Sequence, residues 1–154
     1  MKLSTDRILT THVGSLPRPQ DVVDLIFAQD RDEPVDPAVF ESTVRRAVAD
    51  VIRMQVGNGV DIPSDGEQSK ISYATYIRHR LTGFEGDSQR PTPQDLDDFP
   101  DYRDKLVKEG HSATYKRPVC RGEIKVKSLE PVRQDIARMK SALAKAGVDE
   151  GFMN

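Results

Sequence analysis

Cysteine is almost missing from this chain of 154 residues, which carries Cys120 alone. One thiol excludes an internal disulfide framework and a self-contained cysteine-rich zinc site, and a reducing cytoplasm is the expected location. An excess of either charge is lacking too. The 23 Lys and Arg nearly balance 25 Asp and Glu, for a formal net charge of -2. No global field therefore draws in nucleic acid. No run approaches the ~20 apolar residues of a membrane span. Met1 to Arg7 are polar and lead into no apolar signal core. Nucleic acid and membrane are thus not expected partners. Repeats, low-complexity tracts and linkers are absent as well. What is present, 36% hydrophobic and 31% charged residues, fits a single domain over 1–154 with a core of its own.

Periodicity and turn chemistry give a provisional order of elements. Ile8 to Val13 reads as a buried strand and Gly14 to Pro19 as the turn leaving it. Pro19 suits the start of a short helix over Gln20 to Ala28, and an acidic bend follows at Asp30 to Pro34. Asp36 caps the next helix ahead of Pro37. Phe40, Val44, Ala47, Val48, Val51 and Ile52 then recur at helical steps until Gly57. Val60 to Ser64 reads as a second strand, joined to the first by a right-handed parallel crossover. Ser69 to Leu81 has helical spacing and closes at Gly83. Glu85 to Asp104 reads as a surface excursion, with a helical turn or two near Pro100 to Glu109. Pro118 to Val126 returns to strand character. A last helix from Pro131 places Val132, Ile136, Met139, Leu143 and Ala146 on one face, with Gly147 beyond its end. A further strand begins at Val148 to Asn154.

Two segments carry the chemistry. Thr11-His12-Val13-Gly14-Ser15 puts a histidine, a glycine and a hydroxyl at a strand end. Glycine lets a ligand approach the backbone, and exposed N–H groups with a serine hydroxyl suit a carboxylate or phosphate. Alone, the motif also reads as a strand running into a proline-rich turn, and His12 as a satisfied structural residue. Asp65-Gly66-Glu67 offers two carboxylates at the end of the second strand, able to hold an ammonium or act as a base. Asp-Gly is equally a turn dipeptide, and Glu67 would favour a following helix N-terminus. Joint placement strengthens both motifs, because the C-terminal ends of adjacent parallel strands converge on one pocket. Tyr73, Tyr76, Arg78, His79 and Arg80 read as a half-exposed helix face, Cys120 as a small hydrophobe in a strand, and Arg117, Arg121 and Glu123 as pocket lining or a solvated edge.

The order Thr10-Thr11-His12-Val13-Gly14-Ser15-Leu16-Pro17-Arg18-Pro19, helix, Gly59-Val60-Asp61-Ile62-Pro63-Ser64-Asp65-Gly66-Glu67 resembles the start of the catalytic domain of cobalamin-independent methionine synthases. Arg117-Pro118-Val119-Cys120-Arg121-Gly122-Glu123-Ile124 is similar to that family's next strand. The resemblance implies an α/β fold, the opening part of a TIM-type (β/α)8 barrel with a long excursion after the second strand. It implies a methyltransferase in which a zinc-bound homocysteine thiolate takes the methyl group of a methylated folate polyglutamate, giving methionine. By this resemblance Val13, Gly14, Ser15 and Glu67 bind the amino acid; His12 and Asp65, from the same two motifs, are candidates to line the site. The zinc ligands fall outside this chain. A partial barrel would leave strand edges unpaired, so self-association, a missing partner segment or a truncated product is expected.

The chain has Asp65-Gly66-Glu67-Gln68 where the synthases commonly carry His-Gly-Glu-Pro, and Ala113-Thr114 aligns with a folate-associated Arg-Cys pair. An alkyl–thiol transferase of the epoxyalkane:coenzyme M type is therefore an alternative, as is a non-catalytic module or remnant that binds a small ligand. The related uroporphyrinogen decarboxylase branch would want an arginine-lined pocket.

Overall fold

The computed structural model describes residues 2–86, 88, 93–108 and 118–153; Ala113, Thr114 and Arg117 lie outside them. Among the described residues six helices and two short strands follow one another as α1 (Gln20–Asp30), α2 (Pro37–Gly57), α3 (Tyr73–Arg80), β1 (Phe84–Glu85), α4 (Gln94–Asp98), α5 (Pro100–Lys108), β2 (Val119–Cys120) and α6 (Glu130–Ala146). Among the described residues no helix is long and apolar enough to cross a membrane.

The α2 helix forms for the reasons visible in its sequence. The Asp36 carboxylate accepts the N–H groups of Ala38 (2.7 Å) and Val39 (3.4 Å), and Pro37 needs no partner in the first turn. Its stripe of Val44, Val48, Val51 and Ile52 packs on Met139 and Ala142 of α6, and this contact is the main core. A smaller cluster joins Val22 and Ile26 of α1 to Ala47. Fully burying a side chain such as Val22, Val44 or Ile52 stabilises the fold by about 1.5–3 kcal/mol each. Helix α6 ends at Gly147, which takes the left-handed cap at φ +68.

The buried face of α6 differs from the expected one. Asp135, Arg138, Met139 and Ala142 are buried, whereas Ile136 is 38% exposed. The stripe turns because Asp135 and Arg138 are neutralised together and go inside as a pair. The helical turns expected near Pro100 to Glu109 form as α5, and the excursion holds more structure besides, since α4 forms there and β1 pairs antiparallel with β2 in the register Phe84↔Cys120 and Glu85↔Val119. Cys120 is in a strand as expected, but exposed rather than packed as a small hydrophobe.

The expected partial (β/α)8 barrel is not what forms. The described chain is mostly helical, its one sheet is the antiparallel β1–β2 pair, and no barrel-like arrangement is evident. The segments read as parallel strands meet only at single bridges, Thr11↔Ile62 and Ser64↔Phe152. Ile8 and Val13, expected inside, are 84% and 66% exposed.

Side chains occupy the backbone groups that a ladder would use. The Asp61 carboxylate accepts the Thr10 N–H (2.8 Å) and hydroxyl (3.1 Å), and is itself held by Arg7. The Thr11 hydroxyl donates to the Ile62 carbonyl at 2.6 Å. Buried Gln55 of α2 satisfies Ser64 completely, accepting its N–H at 2.9 Å and donating to its carbonyl at 2.8 Å. Three extended segments therefore lie side by side without becoming a sheet.

Candidate functional site

The bridge between Thr11 and Ile62 sets two turns beside each other. The first turn runs through Gly14 at φ +97, where a Cβ would meet nothing within 4 Å, so the backbone there is open to approach. In the second turn Gly66 (φ +59) and Glu67 (φ +53) both adopt left-handed geometry, and the Asp65 carboxylate accepts the Glu67 N–H at 3.1 Å. The Leu16 N–H donates to the Gly66 carbonyl at 3.0 Å, which ties the turns together.

Across this junction the Ser15 hydroxyl donates to the Glu67 carboxylate at 2.6 Å. The two residues are separated by 52 positions in sequence. Arg18 completes the junction. Its Nε and Nη2 donate to the Glu67 carbonyl at 3.2 and 2.9 Å, and Nη2 also reaches the Lys70 carbonyl and the Ser15 hydroxyl. Burial pushes the Arg18 guanidinium below its ordinary value, and the charges of Glu67 and Asp65 oppose the shift. A guanidinium stays cationic regardless. A hydroxyl, a carboxylate and a guanidinium thus converge where the backbone is accessible, a set that can hold both ends of a small zwitterion.

The remaining sequence-selected residues part company with this pair. Val13 is exposed at the turn, and the His12 Nε2 lies 3.2 Å from the Gly14 carbonyl of its own segment. Asp65 is buried and faces the Lys70 ammonium at 3.7 Å. Burial raises the Asp65 carboxyl above its ordinary range, with Lys70 pulling it back.

Lys70 belongs to a second polar cluster. Its ammonium is 5.1 Å from the centroid of the Tyr76 ring, and the Arg80 guanidinium stacks on the same ring at 3.8 Å. Asp135 accepts bonds from Arg80 (2.7 Å), Arg138 (2.8 Å) and Ser69 (3.1 Å). These residues line a cavity of about 910 Å³ among α1, α2, α3 and α6, and Ser15 and Glu67 do not line it. The Arg80 Nη1 is buried without a hydrogen-bond partner, a position made tolerable by the ring beneath the guanidinium. Tyr76 and Arg80 lie part-buried on the helix face that helical spacing suggests, and there Arg80 partners the buried Asp135.

Sequence reasoning missed Arg18, Lys70 and Asp135. The available signals were local: Arg18 stands three places after Ser15 and Lys70 three after Glu67, while Asp135 and Arg138 form an i,i+3 pair. Among the described residues no three His, Cys, Asp or Glu side chains come together as a group that could hold a metal ion.

No protein-family model matches the chain. A stretch of 75 residues, 49% of the chain, is 33% identical to a methionine synthase of Sulfolobus acidocaldarius and covers 22% of that protein. Over about half its length, then, the chain is similar to roughly a fifth of a methionine synthase.

Proposed function

We propose that the junction of Ser15 and Glu67 holds the α-amino and α-carboxyl groups of a small thiol amino acid, in a methionine-synthase-like methyl transfer. The observation that carries this reading is the 2.6 Å bond between the Ser15 hydroxyl and the Glu67 carboxylate, formed across 52 positions beside the open backbone at Gly14. In the free protein the two groups satisfy each other. An arriving amino acid takes both over, its ammonium onto Glu67 and its carboxylate onto the Ser15 hydroxyl and the neighbouring N–H groups.

The single Ser15–Glu67 bond gives way to two charge-assisted bonds, which offset the hydration that the ammonium and carboxylate lose on binding. The similarity to a methionine synthase supports homocysteine as the amino acid, with methionine as product. A methylated folate as methyl donor and zinc as thiol activator belong to the same reading. The part assigned to these residues is holding the substrate, and the metal is not among the groups they supply.

The test is a calorimetric titration of the chain with L-homocysteine, using Glu67→Gln for comparison. Saturable binding is expected in the native chain, weakened at least about tenfold in the variant by loss of the charge-assisted bond. No binding by the native chain, or equal binding by both, overturns the reading.

A further inference from the structure

We infer that Arg18 is the positioning residue of this site: its guanidinium holds Glu67 in the left-handed backbone conformation that sets the carboxylate against Ser15. The inference rests on reading the Ser15–Glu67 junction as the amino-acid site.

Glu67 has φ +53, a region that non-glycine residues seldom occupy unless the surroundings impose it. Such an outlier at a functional turn needs a cause outside the turn. Within the turn the Glu67 carbonyl accepts the Lys70 N–H at 3.1 Å, and the Glu67 N–H is tied to Asp65 at 3.1 Å. Both bonds close the turn on itself without relating it to Ser15.

The Leu16 N–H to Gly66 carbonyl bond joins the two turns one residue away, and Arg18 adds the link at Glu67 itself. Two of its nitrogens bind the Glu67 carbonyl, and one of them also binds the Lys70 carbonyl and approaches the Ser15 hydroxyl at 3.3 Å. One rigid plane therefore touches the middle of the turn, its end, and the residue that meets the Glu67 carboxylate. Arg18 is itself placed in advance: Pro17 and Pro19 flank it, and their rings narrow the backbone on both sides. A lysine cannot do the same, because a single ammonium lacks the fixed fork of N–H groups. Nε and Nη2 are both committed to backbone carbonyls, and through these bonds Arg18 acts on the substrate by way of Glu67.

The test compares the native chain with Arg18→Met and Arg18→Lys, each checked for folding by thermal unfolding. Two ligands separate the roles: L-methioninol has the ammonium and no carboxylate, and 3-(methylthio)propionate has the carboxylate and no ammonium. In Arg18→Met the NMR chemical shifts of Glu67 are expected to leave the positive-φ range. Affinity for L-methioninol then falls at least about tenfold, while that for 3-(methylthio)propionate changes less than about twofold.

Arg18→Lys is expected to resemble Arg18→Met, and it carries the same measurements if the methionine variant does not fold. Retention of positive φ at Glu67 in the folded variants overturns the inference. So does a loss confined to 3-(methylthio)propionate, which would make Arg18 a direct carboxylate ligand. If the native chain binds neither compound, the amino-acid reading fails, and the φ of Glu67 in the variants still decides the role of Arg18.

Discussion

Replacing Gly66 by alanine tests whether the second turn is as tightly built as the geometry requires. A Cβ on Gly66 would stand 3.1 Å from the Leu16 Cβ, 3.2 Å from the Val51 Cγ2 and 3.3 Å from the Leu16 Cδ1. The side chain meets the first turn and the α2 core at once. Holding alanine at φ +59 costs about 1–2 kcal/mol, and crowding a packed contact adds roughly 1–3 kcal/mol.

Gly147→Ala isolates the first of these costs, because Gly147 has φ +68 and nothing within 4 Å of its would-be Cβ. The expected losses are therefore about 2–5 kcal/mol for Gly66→Ala and about 1–2 kcal/mol for Gly147→Ala. In thermal unfolding followed by circular dichroism, the first lowers Tm by roughly 4–20 °C and the second by roughly 2–8 °C. An equal or smaller loss for Gly66→Ala would refute the packing described for the turn.

Three other outcomes follow from the buried charges. Asp135→Ala takes the carboxylate from part-buried Arg80, leaves buried Arg138 with Glu41 alone, and is expected to cost about 3–5 kcal/mol in urea unfolding; a loss under about 1 kcal/mol would mean that the cluster is not a structural unit. Asp65 has a raised native pKa, mainly through burial, so it binds its proton more tightly folded than unfolded. Its contribution is neutral below the ordinary carboxylate range and turns unfavourable as pH rises through about 4 toward the raised value. Stability measured against pH should thus shift in favour of Asp65→Asn across that window, and a difference that does not vary with pH contradicts the shift. Asp61 is the reverse case: its Arg7 partner holds the carboxyl far below the usual range, so its stabilising effect is present above about pH 4 and fades as pH falls. The stability difference between the native chain and Asp61→Asn should shrink on acidification, and one that persists unchanged would contradict this.

The elements that local rules govern were the legible ones. Helix α2 announces itself through Asp36, Pro37 and a long apolar stripe, and α6 through Pro131 and Gly147. Periodicity misjudged the inner face of α6 because it counts apolar residues, whereas Asp135 and Arg138 enter the core as a neutralised pair. The barrel expectation fails because the β-prone runs pair through the backbone only at single points, the Ile62 N–H on the Thr10 carbonyl and the Phe152 N–H on the Pro63 carbonyl, and extend no ladder from them. Asp61 and Gln55 satisfy Thr10 and Ser64 through side chains instead, and nothing in the composition of a run such as Val60 to Ser64 announces that competition.

At the site, two turn motifs sufficed to bring Ser15 and Glu67 together in the reading, because each is polar and follows an apolar run. Arg18 could not be found in the same way. Its role depends on carbonyls 49 and 52 positions further on, which no periodic pattern encodes. Asp65 stands beside Glu67 in the motif, yet its carboxylate is buried and its partner is buried Lys70.

The most direct test of the Ser15–Glu67 site is an NMR titration of the assigned chain with L-methionine. Binding at the junction predicts saturable shifts in the amides of Gly14, Ser15, Gly66 and Glu67, with Thr75 and Gln134 at the large cavity unmoved. Shifts at Thr75 and Gln134 with the junction silent, or no saturable shift anywhere, would contradict it.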